Sequence, residues 1–195
     1  MMISFIKYPV TTLGPGKRIG IWTAGCKKNC KNCMSKVNHE FDEKLQKSID
    51  DIIHIIKNYQ KNNIVDGITI SGGEPFLQND LKELILKIKE LGINDILIYT
   101  GFLLSEIINH DEILKNISVL VDGPYIDELN DNLPLRGSSN QNVYILNNKY
   151  EKIYLEYLKK PREFELNIDN QKVMIIGMLP KNGKKYIDEI MKINN

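Results

Sequence analysis

The sequence predicts an α/β fold with a mostly parallel sheet, on three observations. Short apolar runs alternate with amphipathic helical stretches, the pattern of βαβ units joined by right-handed crossovers. The chemically unusual segments fall directly after the predicted strands, and in parallel sheets ligands collect beyond the carboxyl ends of the strands. The length, 195 residues, suits one domain with a well-buried core.

The elements follow in order. "RIGIWTA" (18–24) reads as a strand and runs straight into the segment "TAGCKKNCKNCMS". In "KSIDDIIHIIKNYQKN" (47–62), Ile49, Ile52, Ile53, Ile56 and Tyr59 or Gln60 recur on one helical face. "GITI" (67–70) is a short buried strand, followed by the loop "SGGEP". The helix "NDLKELILKIKELG" opens on Asn79 or Asp80 as a cap and closes at Gly92. "DILIYTG" (95–101) is a strand, "LLSEIINH" (103–110) a short helix with His110 near its C-terminus, and "ISVLVDGPY" (117–125) a strand with a turn. Residues 127–142 are polar and turn-rich, and the strand-like "VYIL" follows. "REFELNIDNQKVMIIGM" reads as a hairpin turning at "DNQ", and an amphipathic helix is expected over 184–192. With no internal repeat or linker, one domain is expected over 1–195, with a core of about 14–146 and a C-terminal hairpin and helix over about 150–195.

Composition narrows the function. The hydrophobic content of 42% and charged content of 26% are ordinary for a globular protein. A formal net charge of +1 supplies no broad footprint for nucleic acid or an anionic membrane. No apolar run approaches the ~18 residues of a membrane span. The first residues lack the apolar region and small-residue cleavage site of a secretory leader, so a cytoplasmic location is expected.

All three cysteines, Cys26, Cys30 and Cys33, lie within eight positions, spaced C-x3-C-x2-C. An odd cluster of thiols argues for metal or redox chemistry rather than a disulfide framework. Two readings stay open on spacing alone. One is a structural zinc site closed by His39. The other is a [4Fe–4S] cluster in which three thiolates leave one iron for a ligand that is not protein.

In "ISGGEPFLQ", Ser71, Gly72 and Gly73 let the backbone approach a ligand closely. A phosphate cradle would place a cation next, but Glu74 stands there, and a carboxylate suits an ammonium group. The plainer reading is a strand-to-helix turn with Glu74 favourably placed at a helix N-terminus. His54 is expected at the surface or in packing, and Trp22 in the core.

The C-x3-C-x2-C segment after one strand, with GGEP after the next, resembles the radical S-adenosylmethionine enzymes. "GPGKRIGIWTAGC", "LIYTGF", "VDGPY" and above all "LRGSSNQNVY" are similar to the activating proteins of anaerobic ribonucleotide reductase, in pieces running from Gly14 to about Gly177. The resemblance implies a partial (β/α) barrel of mostly parallel strands. It implies that Cys26, Cys30 and Cys33 hold a [4Fe–4S] cluster, whose open iron is chelated by S-adenosylmethionine. Gly72, Gly73 and Glu74 would contact the methionyl ammonium, and Tyr99, Thr100 and Gly101 would line the ribose and adenine pocket. Asp122 corresponds to a carboxylate near the methionyl carboxylate and a bound cation. Arg136 and Ser138, with Ser139, Asn140 and Gln141, would close the site or meet the protein substrate. Asn32 stands where the wider superfamily often has an aromatic residue near the adenine.

The function so implied is reductive cleavage of S-adenosylmethionine to a 5′-deoxyadenosyl radical. That radical takes a hydrogen from a glycine of a partner glycyl radical enzyme, with flavodoxin or ferredoxin as electron donor. No acid–base dyad or nucleophile is required. A radical enzyme that modifies a peptide is the alternative within this chemistry, and a non-catalytic zinc-binding module the alternative outside it.

Overall fold

The computed structural model describes residues 1–169 and 172–183, with 185 and 187 beyond them. Its centre is a six-stranded sheet of strands taken in chain order, β1 (Ile3–Val10), β2 (Arg18–Thr23), β3 (Gly67–Gly72), β4 (Ile96–Tyr99), β5 (Val119–Asp122) and β6 (Asn142–Ile145). The four inner strands β2 to β5 run parallel, while the edges β1 and β6 pair antiparallel. The mostly parallel α/β sheet is therefore present. The expected strand at 18–24 is β2, but β1 precedes it and was not foreseen. Its burial does not alternate cleanly, and Pro9 interrupts the strand pattern.

The helices follow the predicted order. They are α1 (Ile49–Asn62), α2 (Leu81–Glu90), the short α3 (Leu104–Ile107) and α4 (Asp111–Leu114), and α5 (Glu151–Tyr157). Ser48 caps α1 by accepting from Asp51 N at 3.1 Å. The expected stop at Gly92 is met, with a positive φ of 82° just past the end of α2. His110 stands at the N-terminal cap of α4 as well as just beyond α3, because 103–114 makes two short helices instead of one. α5 had no prediction, since only Tyr154 of its residues is buried.

The pleat divides the sheet's side chains between two faces. Ile19, Ile21, Ile68, Ile70, Ile96 and Ile98 point to one face and bury the apolar stripes of α1 and α2. The other face carries Trp22, Leu97, Tyr99, Val119 and Val121, packed under Tyr154 of α5 and under Leu135 and Ile176. At the amino ends of the strands this second face holds a fully buried Arg18. Its guanidinium donates to Asp95 Oδ2 at 2.6 Å, Thr69 Oγ1 at 2.7 Å and the carbonyls of Pro15, Ile68 and Asp95. The Tyr154 hydroxyl completes the group by donating to Asp95 Oδ1 at 2.9 Å. A buried cation survives only when paired and hydrogen-bonded.

The expected C-terminal hairpin is β7 (Phe164–Asp169) with β8 (Lys172–Gly177). It is tied to the β1 side by Thr11 N and Oγ1, which donate to Glu165 Oε1 at 2.7 and 2.8 Å. The chain that follows is tied to the opposite side, where Asn130 Nδ2 donates to Leu179 O at 3.3 Å. The segment so spans from one sheet edge to loops near the other. Most of the helix expected over 184–192 lies outside the described residues. Among those described, no helix is long and apolar enough to cross a membrane.

Candidate active site

The four loops after β2, β3, β4 and β5 meet at the carboxyl rim of the parallel strands. Three thiols, the glycine–glutamate loop and the turn after β4 line one open cavity. The space enclosed is about 1100 Å³ when the solvent-open mouth is included.

The cysteine loop leaves β2 at Thr23. It is closed at its base by Gly25 N donating to Asn38 O at 2.9 Å and Cys26 N to His39 O at 3.0 Å. Asn29 and Asn32, each immediately before a cysteine, adopt positive φ of 48° and 57°. That region is penalised for most side chains and tolerated by asparagine. Asn32 is exposed, and its Nδ2 donates to Asp127 Oδ2 at 2.8 Å; its visible role is in shaping the loop. All three cysteines are half-buried thiols on the cavity wall. Burial pushes the Cys26 thiol up, while the backbone N–H groups of Lys28 and Asn29 act in the opposite sense by favouring its thiolate. Among the described residues, no three histidine, cysteine or acidic side chains converge on a single-ion position. Mononuclear zinc requires its sulfurs at ~2.3 Å from one point. Three thiols lining one cavity are the donor set that a [4Fe–4S] cluster takes when one of its irons is left for another ligand. His39, the zinc candidate, lines the same cavity.

The loop after β3 packs tightly under the cysteine loop. Gly72 has φ of 106°, and an added Cβ would lie 2.4 Å from Thr23 N. At Gly73 a Cβ would meet Gly25 O at 2.5 Å. Both glycines are thus required by the approach of two backbones, in addition to any ligand. Gly73 N donates to Thr23 O at 2.7 Å and Glu74 N to Gly25 O at 2.9 Å, which joins the two loops through their backbones. Glu74 is 1% exposed. Its Oε1 accepts from Phe76 N at 3.1 Å and Thr100 Oγ1 at 2.7 Å, and its Oε2 accepts from Gly101 N at 2.7 Å. A carboxylate has about four acceptor positions, and one on Oε2 is left toward the cavity. Burial pushes the Glu74 carboxyl above its ordinary range, opposed by those three donors and by the charge of Lys28.

Tyr99, Thr100 and Gly101 all line the cavity, as do Gly72, Gly73 and Glu74. Asp122, Arg136 and Ser138 are placed otherwise. Asp122 Oδ2 accepts from Leu104 N at 2.7 Å, and Oδ1 from Asn142 N and Nδ2 at 3.2 and 3.0 Å. Arg136 makes a two-pronged pair with Asp131 Oδ2, at 2.9 and 2.5 Å. The Ser138 hydroxyl accepts from Ile126 N at 3.1 Å. These three residues brace the loops behind the cavity wall. Gln141 of the same "RGSSNQ" string does reach the cavity. Its Oε1 accepts from Gly137 N at 2.8 Å and its Nε2 donates to Gly123 O at 2.8 Å, which locks the 136–141 turn onto the turn after β5. Tyr125 closes that corner; burial and its bond to Asp127 push its phenol up to about 12.

Three wall components had no prediction. Lys28 sits with its Nζ 4.0 Å from the Phe102 ring centre, and its only sequence signal was the basic run around the cysteines. Arg162 lines the cavity with a side chain 4% exposed. Residues 175–179, from β8 onward, form the wall facing Trp22 and Leu13.

Parallel strand ends that carry a C-x3-C-x2-C loop and a glycine–glycine–glutamate loop side by side define the radical S-adenosylmethionine class of enzyme. A family model described as a 4Fe-4S single cluster domain matches residues 12–144. The anaerobic ribonucleoside-triphosphate reductase-activating protein of Escherichia coli K12 is 35% identical over 149 residues, covering 71% of this chain and 96% of that protein. The protein of the same name from Vibrio cholerae is 31% identical over 150 residues, covering 70% and 94%. A Methanocaldococcus jannaschii protein, whose name describes a glycyl-radical enzyme activating enzyme, is 28% identical over 179 residues, covering 90% of this chain and 61% of its own. The chain belongs to the radical S-adenosylmethionine activases, in the family of anaerobic ribonucleoside-triphosphate reductase-activating proteins.

Proposed function

We propose that this chain is a single-domain, partial-barrel enzyme that cleaves S-adenosylmethionine reductively. The resulting 5′-deoxyadenosyl radical generates a glycyl radical on a partner enzyme, with anaerobic ribonucleotide reductase the foremost candidate. The observation that carries this is the convergence of Cys26, Cys30 and Cys33 with Gly72, Gly73 and Glu74 on one cavity. The cysteines would hold a [4Fe–4S] cluster, and when bound it supplies the single electron that splits the sulfonium bond.

The chain's own residues supply orientation. The open acceptor position on Glu74 suits one N–H of the methionyl ammonium, a charge-assisted bond in a desolvated site. Thr100 and Gly101 fix the angle of that carboxylate by holding both of its oxygens. The glycines at 72 and 73 keep the loop flat against the cysteine loop, which sets the distance between ammonium and sulfur ligands. Asp122, Arg136 and Ser138 hold the loops that complete the wall, and Asn32 holds the turn between two cysteines. The segment 175–179 excludes water from the wall opposite the cysteines. Flavodoxin or ferredoxin would bring the electron, in the cytoplasm.

The test is direct. Anaerobically reconstituted protein should bind about four irons and no stoichiometric zinc. With reductant, S-adenosylmethionine and the anaerobic reductase of the same cell, an electron paramagnetic resonance doublet from a glycyl radical should appear. Deoxyadenosine without that doublet would redirect the reading to another substrate, and a colourless, zinc-loaded protein would end it.

A further inference from the structure

S-adenosylmethionine carries an ammonium at one end, which suits Glu74. Its other end is a flat, uncharged base, which binds by stacking on an aromatic face. Trp22, Tyr99 and Tyr125 line the cavity and are its candidates for such a face. Trp22 is only 6% exposed, and Phe5 covers one of its faces, stacked at 4.2 Å. Tyr99 is packed against both apolar clusters of the second sheet face. Tyr125 belongs to none of the apolar clusters, and its half-buried ring stands on the turn after β5.

Two contacts hold that ring. Its hydroxyl donates to Asp127 Oδ1 at 2.6 Å, and the other oxygen of the same carboxylate accepts from Asn32 Nδ2 at 2.8 Å. One carboxylate thus ties the ring to the residue directly before Cys33. The second contact is Gly137, where an added Cβ would lie 2.8 Å from Tyr125 Cδ2 and 3.1 Å from Cε2. Only a residue without a side chain lets the 136–141 turn lie this close to the ring. A ring already fixed on the cavity wall loses little freedom when a base lies on it. We propose that Tyr125 is the platform on which the adenine of S-adenosylmethionine stacks, held in place by Asp127 and Gly137. This rests on the S-adenosylmethionine reading above.

The test compares Tyr125→Leu with Tyr125→Phe in the reconstituted, unreduced enzyme, so that no turnover is needed. Binding of S-adenosylmethionine and of methionine is measured separately by anaerobic equilibrium dialysis; methionine has the ammonium and carboxylate but no base. Tyr125→Leu removes the aromatic face, so affinity for S-adenosylmethionine should fall about tenfold or more, as for loss of one stacked base, while affinity for methionine stays within about twofold. Tyr125→Phe keeps the face and loses only the bond to Asp127, so it should bind S-adenosylmethionine within about threefold of wild type. Iron content should match wild type in both. Equal losses in the two variants would assign the effect to the bond with Asp127 and overturn the proposal. A loss of iron or of methionine affinity in Tyr125→Leu would make the ring a structural part of the wall, and unchanged S-adenosylmethionine binding would mean that it meets no base; either result overturns the proposal. Wild-type protein that holds its iron but binds neither compound would remove the S-adenosylmethionine reading itself, and the proposal with it.

Discussion

The Thr100 hydroxyl donates to Glu74 Oε1 at 2.7 Å, joining the loop after β3 to the turn after β4. Gly101 N donates to the other carboxylate oxygen at 2.7 Å. One side chain thus acts in two ways: it ties two strand ends together, and it presents a negative charge with one free acceptor position to the cavity. Truncation to alanine would confound these roles by removing both.

Glu74→Gln separates them. The Oε1 bonds can be kept while the charge and the acceptor facing Gly101 N are lost, because the amide places its NH2 donor there. Affinity for S-adenosylmethionine should fall about 10- to 100-fold, as for loss of a charge-assisted bond of ~1.5–3 kcal/mol. Iron content after reconstitution should be unchanged. Loss of iron together with affinity would make Glu74 a structural strut of the cysteine loop.

The same variant makes a pH prediction for the ligand-free protein. Burial raises the folded carboxyl above its unfolded value of about 4.3. A group shifted this way contributes stability that is fully present below the unfolded pKa, and is lost as pH rises through the folded one. Near pH 4 the difference in melting temperature between wild type and Glu74→Gln should therefore reflect only the lost Gly101 bond, because the carboxyl is then protonated and uncharged. That difference should shift in the variant's favour as pH rises toward neutrality. A constant difference across pH would mean that the carboxylate is fully compensated by its donors.

Asn32 makes a backbone prediction. Its φ of 57° costs most side chains about 1–2 kcal/mol and glycine almost nothing. Asn32→Gly should keep wild-type iron incorporation. Asn32→Tyr should lower stability by ~1 kcal/mol and slow reconstitution. If the tyrosine variant instead bound S-adenosylmethionine more tightly at full stability, the position would be an adenine contact awaiting an aromatic ring.

What was legible in the sequence follows a physical line. The cysteines and the glycine–glutamate loop are short, contiguous and chemically improbable, and their place directly after predicted parallel strands pointed to one rim, although the cysteine spacing alone left zinc and a cluster open. α1 and α2 were legible because a wide isoleucine and leucine stripe repeats at the helical period. α5 was not, since it buries Tyr154 alone and bonds it to a carboxylate 59 positions away. Arg162 was invisible for a similar reason: it bonds mainly to backbone carbonyls, which every residue carries. Asp122 and Arg136 were singled out by likeness to other chains, yet in this fold their visible partners are neighbouring loops. A side chain's chemistry announces what it can bind, and only the fold decides whether a local group takes the bond first.

The buried pair of Arg18 and Asp95 bears on stability apart from function. It lies at the amino ends of the strands, about 16 Å from the cysteine loop along β2 at ~3.3 Å per residue. Asp95→Asn leaves the fully buried Arg18 guanidinium without its counter-charge. Breaking such a pair costs about 3–5 kcal/mol, measurable as a lower urea midpoint under anaerobic conditions. The fraction that stays folded should hold its iron, because the network touches no part of the rim. Iron loss in step with the charge change would show that the two ends of the sheet are coupled.

Arg162 places a comparable demand on the C-terminal segment. Its five N–H groups match five hydrogen bonds. Nε and one Nη2 proton go to Leu133 O at 2.9 and 2.8 Å, the other Nη2 proton to Arg136 O at 2.6 Å, and the Nη1 pair to Asn130 Oδ1 and Leu179 O at 2.7 and 2.9 Å. One planar fork thereby pins the end of the cavity wall at Leu179 to the 130–136 loop. Lysine keeps the charge but has three donors on a single point and cannot span these acceptors. Arg162→Lys should cost roughly 2 kcal/mol or more, given the worth of bonds to a charged group. Cleavage by a protease should concentrate in 163–180, because that stretch loses the shorter of its two bonds at Leu179 O and keeps the longer one from Asn130 Nδ2 with its ties to Thr11 and Thr12. A variant that melts and resists proteolysis like wild type would mean that water replaces the guanidinium at no cost, and that the wall is held by the packing of Ile176 against Trp22 and by the bonds to Thr11, Thr12 and Asn130.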